Sequence, residues 1–200
     1  GTSNNTRAVL GGGATGAAGT NTNVLDYVTI ASTGNATDFG DMTYASGGAR
    51  GSGFSSDAHG GLGIIHRYNT VSEQVAHATR ATELGAKNIG AAIGVTGDYV
   101  ERAIALCDAG VKVLCVDVAH GHHILVKTAI KSLRDIFGDS VHIMAGNVAT
   151  LDGFNALAEW GADSVRCNIG GGSICTTRVQ TGHGVPGLHT IFECASSVHA

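Results

Sequence analysis

The larger part of this sequence predicts a parallel α/β fold, on three observations. From Gly61 onward, short apolar runs and helix-like stretches alternate with a period of about 25 residues, the pattern of a (β/α) barrel or an open parallel sheet. One run, Lys112–Val118, is almost continuously apolar, as a strand covered on both faces must be. The densest group of chemically able side chains, within Ala162–Pro186, begins as a strand and continues into a glycine-rich loop. Folds of this class hold their chemistry at such strand-to-loop junctions.

Five strands are expected in order: Leu62–His66, Asn88–Val95, Lys112–Val118, Val141–Ala145 and Ser164–Ile169. The last is read as short and buried, with apolar residues at alternate positions. Helices fill the gaps. Thr70–Leu84 carries Val71, Val75, Ala78 and Leu84 at roughly helical spacing, with Gly85 beyond its end. Asp98–Ala109 takes Asp98 as its N-cap and has Gly110 after it. Ile124–Phe137, Leu151–Trp160 and Leu188–Ala195 complete the series. A closed barrel needs eight strands, so five make a partial one.

Residues 1–59 have a different texture. They are rich in Gly, Thr, Ser, Asn and Ala, poor in charge, and without a helical apolar period. Strand candidates are Thr6–Leu10, closed by Gly11-Gly12-Gly13, and Val24–Ala31, apolar on both faces. The stretches SNNTRAVLGGG and SSDAHGGLG share a loose pattern about fifty residues apart. That spacing looks like one blade of a kelch-type propeller repeat; a loosely folded extension is the other reading. The division expected is a β-type segment over 1–59 and an α/β unit over 60–200, joined near Gly60.

Composition excludes several classes. The chain of 200 residues has a net charge of −4 and no basic cluster, which argues against nucleic acid as the main partner. No run of about 18 apolar residues suits a membrane span, and the first residues lack a charged-then-apolar leader. The first residue is Gly, not Met, so a fragment or a processed chain is expected. Five cysteines form no C-x-x-C pair, which fits reduced thiols and a cytoplasmic location. Neither a Walker loop nor a strand-following G-x-G-x-x-G is present, so any dinucleotide would not sit on a Rossmann fold.

The loop itself supplies the candidate chemistry. Gly170-Gly171-Gly172 lets the backbone approach a ligand closely, since no Cβ stands in the way. Ser173, Cys175, Thr176, Thr177 and Arg178 then crowd hydroxyl, thiol and guanidinium groups together. A thiol attacks as its thiolate. Loop amides, the start of the helix at Leu188 and an inward-turned Arg178 are the groups that would stabilise it. The bland reading is a glycine turn beside a structural cysteine. Cys107, Cys115, Cys167 and Cys194 lie in apolar contexts and are read as packing. His120, His122 and His123 suggest a transition-metal site, but no Cys or carboxylate cluster accompanies them, and none is expected.

The motifs also carry a resemblance. GGGSICTTR at Gly170–Arg178, followed by TGHGVP, is similar to the active-site loop of the IMP dehydrogenase/GMP reductase family. GGLGIIHR at Gly60–Arg67, GAAIGV at Gly90–Val95, VDVAHGH at Val116–His122 and AGNVAT at Ala145–Thr150 fall in the family's order. The resemblance covers roughly residues 60–200 and implies a (β/α)8 TIM barrel of which strands two to six are present, with the remainder of the phosphate site lying elsewhere. It implies Cys175 as the nucleophile toward purine carbon 2, and Thr177 as the residue that positions the hydrolytic water. Ser173 and Asn147 are implied at the nucleotide, and Asp117 at the ribose of the nicotinamide. The backbone carbonyls of Gly170, Gly172 and Cys175 are implied around a potassium ion. Gly171 stands where many relatives have proline or another small residue, and Asn168 where most have glycine.

The activity so implied is NAD-dependent oxidation of IMP to XMP through a covalent cysteine adduct, in a homotetramer when complete. The runner-up is GMP reduction with NADPH. The short connection between the first two strands favours that runner-up, while IIHR and VDVAHGH favour the dehydrogenase. A reading of another class is a non-catalytic fragment, or a chimera whose propeller-like head is a binding module.

Overall fold

The computed structural model describes residues 2–3, 7–15, 20–29 and 37–46, and residues 62–200 apart from 172–174. The amino-terminal part forms four antiparallel strands, β1 (Thr2–Ser3), β2 (Arg7–Thr15), β3 (Thr20–Thr29) and β4 (Thr37–Ser46), in sequential order. Expectation and structure differ at the glycines. Gly11-Gly12-Gly13 does not end β2 but lies inside it, and the pairing with β3 shifts between Gly11 and Gly13. Glycine inside a strand commonly marks such an irregularity. The second stretch of the supposed repeat, Ser55–Gly63, lies largely outside the described residues.

Residues 62–200 form a five-stranded parallel sheet in which sequence order is spatial order. Its strands are β5 (Gly63–Ile65), β6 (Ile89–Ile93), β7 (Val113–Asp117), β8 (His142–Val148) and β9 (Ser164–Cys167). Helices α1 (Val71–Glu83), α2 (Tyr99–Asp108), α3 (Ile124–Phe137) and α4 (Leu151–Glu159) connect them in turn. Two more, α5 (Thr177–Thr181) and α6 (Gly187–Cys194), follow β9. Unbroken β-α alternation with each strand beside the last is part of a (β/α)8 barrel.

Each face of the sheet has its own composition. Leu114 and Val116 of β7, Ile143 and Ala145 of β8, and Ala91 and Ile93 of β6 pack with Leu106, Ile130, Leu133 and Leu157 of the helices in one buried cluster. Burying one such Leu or Ile side chain contributes roughly 1.5–3 kcal/mol. The intervening strand positions carry Ala92, Cys115, Asp117, Gly146 and Arg166, and this second face bears the polar groups.

Helix starts follow local chemistry. Thr70 caps α1 in a capping box: its hydroxyl accepts from the Glu73 amide at 3.3 Å, and the Glu73 carboxylate accepts from the Thr70 amide at 2.9 Å. Thr70 therefore precedes the helix and is not part of it. Thr150 caps α4 by accepting from the Gly153 amide at 3.2 Å. Asp98 stands at the N-cap of α2 as expected, and its carbonyl accepts from the Arg102 amide at 2.8 Å, but its carboxylate makes no cap bond and instead takes the Arg102 guanidinium, at 2.8 and 3.3 Å. A full ionic partner one turn away outcompetes an amide.

Strand ends differ too. β8 runs three residues past Ala145, through Gly146 and Asn147 to Val148. β9 stops at Cys167, because Asn168 adopts a φ of 139°, and its residues are half-buried instead of fully covered. β9 pairs with β8 alone among the described residues, which leaves its outer side open.

Candidate active site

The carboxyl ends of β7, β8 and β9 bring Asp117, Asn147 and the loop from Asn168 onward to the same end of the sheet. The register sets the central contact. Asp117 stands opposite Gly146, and Gly146 opposite Arg166. With no side chain at Gly146, Arg166 passes over the middle strand, and its Nη1 donates to Asp117 Oδ1 at 2.6 Å. A Cβ on Gly146 would lie 2.6 Å from the Arg166 Cβ and 2.9 Å from its carbonyl, so this crossing needs glycine.

Arg67 approaches Asp117 from the β5 side. Its Nε donates to the Asp117 carbonyl oxygen at 3.1 Å and stands 3.9 Å from Oδ2. The carboxylate is thus fixed at one oxygen by Arg166, while the other is held only loosely. Its side chain keeps 25% of its surface exposed. Such an oxygen can accept a hydroxyl. Arg166 Nη1 also lies 3.4 Å from Cys115 Sγ. Cys115, expected to be plain packing, is therefore buried against a cation. Burial pushes its thiol up, and the Arg166 charge opposes that only in part.

Asn147 is committed to the neighbouring strand end. Its Nδ2 donates to the Val118 carbonyl at 3.3 Å, and its own carbonyl accepts from the Gly121 amide at 2.7 Å. Both bonds shape the turn between β7 and α3. The histidines of that turn are used locally. His123 caps α3 by accepting from the Leu125 amide at 3.2 Å, and His122 stacks near Trp160, ring centres 5.8 Å apart. No group of three or more His, Cys, Asp or Glu converges on a metal-sized site among the described residues.

Cys175 is exposed, and its Sγ lies 3.3 Å from Thr177 Oγ1. The thiol donates in its neutral form; once it ionises, the hydroxyl donates to the sulfur. That hydroxyl is the main reason the Cys175 pKa falls below the ordinary thiol value. The Thr177 backbone amide adds to the fall, and the Arg178 charge contributes less. The amide belongs to α5, a short helix the sequence reading left as loop. The helix at Leu188 does not supply it. Burial acts the other way on two other thiols, pushing Cys107 up to about 11 and raising Cys194, whose neighbour Cys167 raises it further.

Arg178 turns inward, but to brace the loop. Its Nε donates to the Ile169 carbonyl at 2.8 Å, and its Nη2 to the Val185 carbonyl at 2.9 Å and to Asn168 Oδ1 at 3.2 Å. Two glycines make room. A Cβ on Gly170, which has a φ of +66°, would meet Arg178 Cγ at 2.7 Å, and one on Gly184 would meet Nε at 2.8 Å. Gly171 leaves space for the Asn168 amide in the same way. Gly172 and Ser173 lie outside the described residues.

The structure therefore joins Cys175 to Thr177, and Asp117 to two arginines that the sequence reading gave no role. Arg166 had a legible signal: a cation in a strand of otherwise modest polarity requires a carboxylate partner. Arg67 had none beyond its place in the GGLGIIHR motif.

A parallel β/α sheet with each strand beside the last, bearing a thiol-carrying loop and a braced carboxylate at its strand ends, is part of a TIM barrel. The chain belongs to the IMP dehydrogenase / GMP reductase domain family, whose model matches residues 55–200. It is similar to the inosine-5'-monophosphate dehydrogenase of Mycobacterium leprae, 45% identical over 143 residues, covering 70% of this chain and 27% of the relative. The enzyme of the same name from Aquifex aeolicus is 47% identical over 115 residues, 58% of this chain and 23% of the relative. That from Bacillus subtilis is 47% identical over 108 residues, 54% and 22% respectively. The chain thus spans about a quarter of the length of the curated relatives it matches. Among the described residues, no helix is long and apolar enough to cross a membrane.

Proposed function

We propose that this chain carries the catalytic loop of an NAD-dependent IMP dehydrogenase, with Cys175 as nucleophile. The observation that supports it most is the exposed Cys175 thiol, lowered by Thr177 and set on a loop at the carboxyl ends of parallel strands. The relatives' shared name supplies the substrate.

In this reading the Cys175 thiolate forms a bond to carbon 2 of the purine. NAD, when bound, supplies the acceptor for the hydride that carbon 2 loses. Water beside Thr177 then attacks carbon 2, the carbon–sulfur bond breaks, and the thiolate is regenerated as XMP leaves. Asp117 would hold the ribose of the nicotinamide through the carboxylate oxygen that Arg166 does not occupy, and this geometry fits such a hydroxyl contact. Asn147, through the turn it fixes, and Ser173 would border the nucleotide. A potassium ion would take the carbonyls of Gly170, Gly172 and Cys175, since carbonyl oxygens suit a hard cation. A homotetramer and a cytoplasmic location belong to the same proposal, as does the division of the chain near Gly60.

Product analysis tests the reading in a protein carrying this chain within a closed barrel. Incubation with IMP and NAD should yield XMP and NADH, faster with potassium than without. Cys175→Ser should abolish the reaction, because an alcohol without an adjacent base is a far weaker nucleophile. Ammonia released from GMP with NADPH, and no XMP, would instead establish the reductase. Failure of both pairs would leave the non-catalytic reading.

A further inference from the structure

We propose that Gln74 and Arg102 are positioning residues for Arg67, and through Arg67 for the carboxyl end of β7 at Asp117, whose main-chain carbonyl Arg67 holds. Gln74 lies on α1 with no exposed surface, and Arg102 on α2 is 7% exposed. Both stand where an apolar side chain would suffice to pack the helices. A buried amide or guanidinium is costly unless every polar atom finds a partner. Here three of the partners are main-chain carbonyls of the short segment from Ile65 to Asn69, and the Ala92 carbonyl and the Asp98 carboxylate supply the others.

Gln74 Nε2 lies 3.0 Å from the His66 carbonyl, 3.3 Å from that of Ile65 and 2.9 Å from that of Ala92 on β6. Two hydrogens serve three acceptors, and Ile65 takes the weakest share. Gln74 Oε1 accepts from Arg102 Nη1 at 2.8 Å, and the same nitrogen donates to the Asn69 carbonyl at 3.0 Å. Asp98 holds the far side of the guanidinium through Nη2 and Nε. The chain is thus gripped on both sides of Arg67, at His66 and at Asn69. Arg67 spends its Nε on the Asp117 carbonyl.

A fully satisfied polar network fixes orientation in a way apolar packing does not. The turn between β5 and α1 can point Arg67 at Asp117 only while those carbonyls stay fixed. That this serves a bound ribose rests on the reading of Asp117 given above. The positioning itself does not, and its test uses no substrate.

The experiment measures hydrogen exchange at the arginine Nε–H groups of the ¹⁵N-labelled 200-residue chain by NMR, with the Arg67 signal identified by its absence in Arg67→Lys. Arg134 Nε, bonded to the Gly161 carbonyl at 2.8 Å in a separate set of contacts, is the internal control for folding. Gln74→Met removes every polar contact at nearly constant volume. It should accelerate Arg67 exchange about tenfold or more, the worth of one hydrogen bond, and leave Arg134 unchanged. Gln74→Glu keeps an acceptor for Arg102 but loses the grip on the carbonyls, and should accelerate Arg67 similarly. Asp98→Asn alters a half-exposed residue and should give a smaller acceleration of the same signal. Unchanged Arg67 exchange in Gln74→Met with Arg134 protected overturns the proposal. If the Gln74 variants lose Arg134 protection too, Asp98→Asn decides, and an unmoved Arg67 there also overturns it.

Discussion

Arg166 reaches Asp117 across a strand whose residue between them is Gly146, and the 2.6 Å contact exists because that residue has no side chain. Gly146→Ala should therefore act at a distance from its own backbone. Its Cβ would fall on the Arg166 main chain and Cβ, which cannot swing aside as a flexible tip would. Overpacking of this kind costs about 1–3 kcal/mol. Urea unfolding should show that loss, and wild-type stability in the variant would show that the strands can shift to accept a methyl group.

Cys175 should be the most reactive of the five thiols near neutral pH. It is exposed and its pKa is lowered, while burial pushes Cys107 up to about 11 and also raises Cys115 and Cys194. The thiolate is the form that alkylates. Iodoacetamide labelling with peptide mapping should place the first adduct on Cys175. Thr177→Val should move the midpoint of its rate-against-pH curve upward, since the hydroxyl that stabilises the anion is gone. Preferred labelling of Cys107, or an unmoved midpoint, would contradict the local geometry.

Stability should fall at both ends of the pH scale for different reasons. Asp98 and Asp163 have folded pKa values below the ordinary carboxylate range. At Asp98 the Arg102 hydrogen bond is the main cause; at Asp163 burial pushes up, but Arg134, the Ile143 amide and His142 outweigh it. A depressed carboxylate stabilises fully above its unfolded pKa, near 4, and that stabilisation is lost as pH drops through the folded value. Cys107 has the opposite sign: its contribution is full below the unfolded thiol pKa and is lost as pH rises toward about 11. Denaturant midpoints should fall below pH 4 and above pH 9. Asp163→Asn should flatten the acid limb and Cys107→Ala the alkaline one.

The 200-residue chain by itself should turn over IMP and NAD at close to background. The described sheet has five strands in an open row with two outer strands, β5 and β9, where a closed barrel has eight. A site assembled from part of a ring lacks the positioning that makes a bound substrate reactive. A measured rate of about 1 per second or more would show that the five strands suffice.

Much of this was legible in the primary structure. The expected bounds of α3 coincide with those observed, and all five strands occur in the expected order, because apolar periodicity reports burial directly. The N-cap position of Asp98 was legible too, but not that its carboxylate would take Arg102 in place of a backbone amide. β8 outran its expected end because Gly146, a weak strand former by itself, pairs with Asp117 on β7 and with Arg166 on β9, and the strand continues past an irregularity at Asn147 to Val148. α5 was missed because Thr-Arg-Val-Gln-Thr offers five helical residues and no apolar stripe. The Arg67–Asp117–Arg166 arrangement was out of reach for a different reason. Its members are about fifty residues apart in pairs, and only the register of three strands brings them together.

The bracing of the Cys175 loop by Arg178 has a consequence for transplantation. Among the described residues, the bonds of the Arg178 side chain end on Asn168, Ile169 and Val185, and the glycines that admit it, Gly170 and Gly184, lie within the same span. The thiol's own partner, Thr177, lies there too. The stretch from Asn168 to Val185 is thus a contiguous cassette that carries its internal scaffolding with it. Spliced onto the end of a strand in an unrelated parallel sheet, it would bring both the thiol and the means of shaping its loop. The braced carboxylate at Asp117 could not be moved this way, because its supports are drawn from three separate strand ends.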